Sequence, residues 1–167
     1  MSNFIGHKKI IEGFMKRAES NTLSHAHLIS GRDGIGKSIL ADIFVSKILN
    51  KEPKKEHIDA IHYRNNKASI GVSEVREIIE EVSKRPYEGD KKVIVIYDAE
   101  KLTVQAQNAL LKTIEEPPIG VFIILLTTNL EVILDTIKSR CQIYKLTPLN
   151  NEEMLEYIKE NHDVGEE

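Results

Sequence analysis

The chain has 167 residues, 41% apolar and 29% charged, a composition that fits one globular domain with a small appendage and excludes a disordered, collagenous or coiled-coil protein. With 23 Lys and Arg against 26 Asp and Glu the net charge is −3, so the protein does not coat nucleic acid by bulk positive charge and any such contact has to be local. The longest apolar run, residues 121–126, is too short to span a bilayer, residues 1–10 lack a signal-peptide core, and the expectation is a cytoplasmic protein with no membrane contact.

In chain order, strand-like apolar runs alternate with segments of helical period, which is the pattern of an α/β fold built on a parallel sheet. Ile10, Ile11, Phe14, Met15 and Ala18 recur at helical spacing and give a first helix. A strand over 26–30 leads through a glycine-rich turn into a helix over 37–49, closed by a segment containing Pro53. A second strand is expected over 58–63. Ser73 is the expected N-cap of a helix that buries Val75, Ile78, Ile79 and Val82 and stops before Pro86. Residues 93–97 and 121–127 are continuously apolar and read as strands buried on both faces. Between them Thr103 caps a helix carrying Ala106, Ala109, Leu110 and Ile114, which Pro117 and Pro118 end. A short helix over 131–137 and a fifth strand over 141–146 follow, giving five strands. After Pro148, the residues Met154, Leu155 and Ile158 begin a further helix. The expected division is a nucleotide-binding domain over 1–147 and the start of a second unit over 148–167.

The segment Gly31-Arg-Asp-Gly34-Ile35-Gly36-Lys37-Ser38 matches the phosphate-loop pattern, and it lies between a predicted strand and a predicted helix, the setting in which that pattern carries its chemistry. Backbone N–H groups of the glycine-rich loop and the following helix N-terminus are suited to phosphate oxygens. Lys37 would bridge the β and γ phosphates of ATP or ADP, and Ser38 would hold Mg²⁺. A carboxylate to complete the site should follow a buried strand, and Asp98 does so. The next residue is Ala99, where a hydrolysing enzyme needs a second carboxylate. Glu100 points to the opposite face of an extended chain and reaches the site only if the strand has already ended at Asp98; the reading preferred from sequence is a solvated loop carboxylate. Nucleotide binding is therefore expected and hydrolysis is not.

Three further segments carry a resemblance. Asn108-Ala-Leu-Leu-Lys-Thr-Ile-Glu-Glu-Pro-Pro118, Ser139-Arg140-Cys141 and Ser24-His25-Ala26-His27, together with the phosphate loop and Asp98, resemble the clamp-loader branch of the AAA+ P-loop NTPases, and within it the delta prime type of bacterial subunit, over residues 4–147. The resemblance implies a five-stranded parallel AAA+ core flanked by helices, followed by a helical lid that begins at 148 and a collar domain that this sequence does not reach, so that the chain reads as a piece of a longer protein. It implies that Arg140 acts in trans as an arginine finger on ATP held by a neighbouring subunit, a task suited to a planar, permanent cation. Without the resemblance, Arg140 reads as a surface salt bridge. Thr128 and Asn129 fall where the family senses the γ-phosphate, and they can equally cap the next helix. The implied partners are other clamp-loader subunits (gamma/tau and delta), with the sliding clamp and primed DNA reached through the complex.

Departures from the motor subunits of that branch point the same way. Those carry Asp-Glu where this chain has Asp98-Ala99, and a four-cysteine zinc module where residues 51–66 hold no cysteine. The single Cys141 excludes such a module and an intrachain disulfide and reads as a small buried residue, while His57 and His62 read as ordinary flanks of a strand; no zinc is expected. The alternatives are a hydrolysing motor subunit using Glu100 and, from another class, a small-molecule kinase, which leaves the 108–118 string without a purpose. Lys84, Arg85, Lys91 and Lys92 read as a solvated rim in preference to a phosphate track.

Overall fold

The computed structural model describes residues 7–52 and 57–147. The residues around Pro53 and the expected helix beyond Pro148 lie outside them. Five strands form one sheet, all parallel: β1 (Ala26–Ser30), β2 (Ala60–Tyr63), β3 (Lys92–Ile96), β4 (Val121–Thr127) and β5 (Gln142–Lys145), in the order β2-β3-β4-β1-β5. The helices are α1 (His7–Glu19), α2 (Lys37–Leu49), α3 (Val72–Ser83), α4 (Val104–Glu115) and the single turn α5 (Asp135–Lys138).

Alternation along the central strands divides the core in two. Ile29, Val93, Val95, Phe122, Ile124 and Leu126 pack against α1 and α2. Leu28, Ile94, Ile96, Ile123 and Leu125 pack against α3, α4 and Ile137 of α5. Both faces of β3 and β4 are thus covered, which is why these strands are uninterrupted apolar runs.

Several local expectations shift for identifiable reasons. The N-cap of α3 is Gly71, not Ser73: Glu74 Oε1 accepts the Gly71 N–H at 2.7 Å, so the glutamate reaches back to the helix start, while Ser73 Oγ donates to Glu74 Oε2 at 2.9 Å. Thr103 does cap α4, accepting from Ala106 N at 3.1 Å. The single helix expected over 131–137 is instead a 3-10 turn, Leu130–Val132, and the short α5. Gln107, buried in α4, explains the break: its Nε2 donates to Val132 O at 2.9 Å and its Oε1 accepts from Leu134 N at 2.7 Å, so the backbone between the two turns bonds to a side chain rather than to itself.

The basic cluster also dissolves into separate roles. Lys92 is fully buried, and its ammonium donates to the carbonyls of Glu81 and Lys84, the latter at 3.2 Å, at the C-terminal end of α3. A cation there satisfies orphan carbonyls and meets the negative end of the helix dipole. Lys84 pairs with Glu81 at 3.2 Å. Lys92 is accordingly part of the core rather than of a solvated rim.

Candidate functional site

The C-terminal ends of β3, β4 and β1 are adjacent in the sheet, and the loops that leave them meet in a cleft of about 310 Å³. Clefts at this edge are where open α/β sheets bind ligands. Gly34, Gly36, Lys37 and Ser38 form one wall, Asp98 and Glu100 another, with Thr127 and Thr128 between them. The loop after β1 uses glycine where the backbone demands it: Gly34 has φ +79 and Gly36, the residue before α2, φ +106. A Cβ on Gly34 would meet nothing within 4 Å, so its backbone borders open space. Gly31 is constrained differently, because a Cβ there would come within 2.6 Å of the Ile35 side chain.

Lys37 is folded onto its own loop. Its Nζ donates to Gly31 O at 2.6 Å and Arg32 O at 2.9 Å, with Asp33 Oδ1 at 4.0 Å. Burial pulls the ammonium's pKa below the usual lysine value, against the opposing pull of Asp33, Glu100 and Asp98. Ile35 contributes no side chain to the cleft: it is buried in the core, and its N–H bonds to Arg32 O at 3.2 Å.

The segment after β3 differs most from the sequence reading. The strand ends at Ile96, Asp98 takes a left-handed conformation at φ 56, and a 3-10 turn runs Ala99–Lys101. Aspartate is among the few residues that visit this region routinely. Ala99 is turned fully into the core, and Glu100 is brought round to the cleft. Its Oε1 accepts from Thr127 Oγ1 and from Thr128 N, each at 3.1 Å. Glu100 is therefore a cleft residue and not a solvated loop carboxylate. The face-alternation argument fails because the chain is no longer extended there; the sequence signal was the Asp-Ala-Glu run ahead of the Thr103 cap, which is turn chemistry. Asp98 borders the same cleft and lies 3.8 Å from Lys101 Nζ. Tyr97 joins the lining too, its hydroxyl 2.8 Å from His62 Nδ1 and its ring 4.1 Å beneath the Arg64 guanidinium.

Asn129 does not border the cleft: its Oδ1 accepts from Glu131 N at 3.0 Å and caps the 3-10 turn Leu130–Val132. Thr127, which the sequence reading passed over, is the residue that faces Glu100. The histidines ahead of the phosphate loop are structural. His25 stacks on Phe122, and His27 is buried, with Nε2 2.8 Å from Ser24 O and Nδ1 2.8 Å from Tyr144 Oη. Cys141 packs against the second core cluster, where burial pushes its thiol up to about 12, so it is no nucleophile at neutral pH.

Arg140 stands at the other edge of the sheet. It precedes β5, whose far end reaches the phosphate loop through the bond from Leu146 N to Ser30 O, 2.8 Å. The length of β5 therefore separates Arg140 from the cleft. Its Nη1 donates to Thr136 O at 3.1 Å and Ser139 Oγ at 3.3 Å, and its Nη2 lies 3.1 Å from Glu115 Oε2. Both the surface ion pair expected of an unassigned arginine and the partial exposure a trans-acting one needs are thus present.

A model of the family described as DNA polymerase III, delta subunit, matches residues 6–150. The chain belongs to that family. It is 34% identical over 146 residues to the delta′ subunit of Bacillus subtilis DNA polymerase III, covering 78% of this chain and 44% of that protein. It is 33% identical over 172 residues to a DNA polymerase III gamma subunit of Buchnera aphidicola, covering 93% and 47%. The chain therefore spans about half the length of the curated relatives it matches, and the delta′ and gamma types are similar to it to the same degree. A gamma subunit-related protein of Thermotoga maritima superposes with a TM-score of 0.71 at 26% identity, covering 90% of this chain and 49% of that one. The RuvB Holliday junction branch migration motor of the same organism shares the fold, with a TM-score of 0.61 at 19% identity, covering 94% and 50%. The five-stranded P-loop fold expected from the sequence is the fold observed.

Proposed function

We propose that this chain is the nucleotide-binding part of a delta′-type clamp-loader subunit, one that holds nucleotide without hydrolysing it and presents Arg140 to ATP bound by a neighbouring subunit. In the cytoplasm the complete protein would join gamma/tau and delta subunits in a ring and help load the sliding clamp on primed DNA. The observation that carries the reading is the placement of Arg140. Four strand residues, at about 3.3 Å each, lie between it and the protein's own cleft, which supports a role on a phosphate held by another molecule.

The cleft's donors fit ATP or ADP with Mg²⁺. Lys37 has a desolvated ammonium resting on two carbonyls, which a phosphate oxygen would replace with a charged acceptor. Ser38 and Asp98 border the same space and would hold the cation, with its other oxygens supplied by nucleotide and water. Bound Mg²⁺ would neutralise phosphate charge. The hydrolytic position is weaker: Ala99 carries no carboxylate, and Glu100 is engaged by Thr127 and Thr128.

One observation favours a second reading, the hydrolysing motor subunit: Glu100 does reach the cleft. Complexes assembled with Lys37→Ala or Arg140→Ala in this subunit alone separate the two. The delta′-type reading expects Arg140→Ala to slow ATP turnover by the neighbour by about 10³-fold or more, and Lys37→Ala to leave turnover per ring near that of the parent. Loss of one subunit's full share with Lys37→Ala would establish the motor reading instead.

A further inference from the structure

We infer that Glu115 is a positioning residue for Arg140: its carboxylate, fixed at the end of α4, holds the guanidinium in the orientation from which it meets a neighbour's phosphate. The inference rests on the trans reading of Arg140 and names the group that prepares it.

Glu115 is the last residue of α4, and Arg140 follows the C-cap of α5. Beyond the packing of Ile137 in the core, two polar links among the described residues tie these segments together. The buried one is Gln107, which bonds to Val132 O and Leu134 N and fixes α4 against the backbone that leads into α5. The exposed one is the Glu115–Arg140 pair at 3.1 Å. With Thr136 O and Ser139 Oγ on Nη1, the guanidinium has acceptors on two of its nitrogens, which set the plane of the fork. A guanidinium carries five N–H groups, so these contacts leave part of the fork for another anion.

Arginine loses considerable rotamer freedom when it is fixed. A side chain whose orientation is set before the phosphate arrives loses less at the moment of reaction. A half-exposed ion pair has little stabilising value of its own, so this contact orients the side chain and contributes little to holding the fold. The same weakness lets the phosphate, a stronger acceptor, recruit the free N–H groups without first breaking a buried bond.

The test uses the full-length subunit assembled with its partner subunits, with steady-state ATP hydrolysis measured for Glu115→Ala, Glu115→Gln, Arg140→Ala and the Glu115→Ala/Arg140→Ala pair. Glu115→Ala is expected to lower kcat by roughly two- to tenfold, the scale of ordering one long side chain, with KM unchanged. Glu115→Gln keeps an acceptor oxygen and should recover most of the loss. In the Arg140→Ala background, Glu115→Ala should have no further effect. An additive loss in that background would show a structural role and overturn the inference, as would an unchanged or increased kcat for Glu115→Ala beside a large loss for Arg140→Ala. If Arg140→Ala itself has no effect, the trans reading fails, and the inference with it.

Discussion

Glu100 lies in the turn after β3 and Thr127 is the last residue of the neighbouring strand β4, and a hydrogen bond of 3.1 Å joins them in the cleft. The same carboxylate oxygen accepts from Thr128 N, so Glu100 links the segment after β3 to the segment after β4 beside the phosphate loop. A carboxylate fixed this way serves geometry first. Glu100→Gln keeps an acceptor oxygen and removes a negative charge that faces Lys37. The variant is expected to bind ATP as tightly as the parent or more tightly, and to leave turnover of the assembled complex unchanged. Loss of one subunit's share of turnover, with binding intact, would assign Glu100 as a catalytic base.

Lys37→Ala is expected to weaken binding of ATP with Mg²⁺ by about ten- to a hundredfold, the scale of losing one charge-assisted hydrogen bond. Isothermal titration of the parent and the variant checks this. Equal heats for the two proteins would mean that the phosphate loop does not hold the nucleotide.

Burial lowers the His27 pKa from 6.5 to about 4. Its Nε2–H donates to Ser24 O, since a carbonyl only accepts, which leaves Nδ1 to accept from the Tyr144 hydroxyl. The folded protein thus needs the neutral ring, whereas the unfolded chain takes up a proton below pH 6.5. Stability is full above that pH and is lost as pH falls toward 4, and the cost at pH 5 relative to pH 8 is about 2 kcal/mol. Urea unfolding at the two pH values measures it, and His27→Leu should flatten this part of the pH dependence. A parent protein equally stable at both values would contradict the assignment.

Gly120, at φ +82, begins the approach to β4, and a Cβ there would stand 2.1 Å from Asp90 O. Its own carbonyl accepts from Lys92 N at 2.9 Å, so the backbone cannot move away without losing the first bond between β3 and β4. Gly120→Ala is expected to lower stability by about 1–3 kcal/mol, read as a lower urea midpoint with an unchanged m value. A midpoint equal to that of the parent would show that the 90–91 turn yields freely.

Most of the framework was legible in the sequence because punctuation and period agree. The strands Ala26–Ser30 and Val121–Thr127 and the helix Lys37–Leu49 have the bounds their apolar runs, glycines and prolines predict. What escaped were side-chain contacts between one element and the next. No local pattern shows that Gln107 replaces a stretch of backbone pairing near residue 133, or that Lys92 enters the core to reach the end of α3. The phosphate loop was legible as a motif. Glu100 was not, because one left-handed residue, Asp98, redirects everything after it, and alternation describes only a chain that stays extended. Arg140 needed the resemblance to stand out, and its distance from the protein's own cleft became visible only once β5 was placed beside β1.

The strand order also sets a timetable for synthesis. Ala26 of β1 pairs with Ile123 of β4, about a hundred residues later, and its other neighbour, β5, emerges later still. At ribosomal rates this leaves β1 without a sheet partner for about 5–20 s, although α1 and α2 can already cover one of its faces. β3 and β4 lie much closer in the chain, so the half of the sheet that carries Asp98 and Glu100 can assemble first. The phosphate loop, suspended from β1, is then the last wall of the cleft to be locked in place.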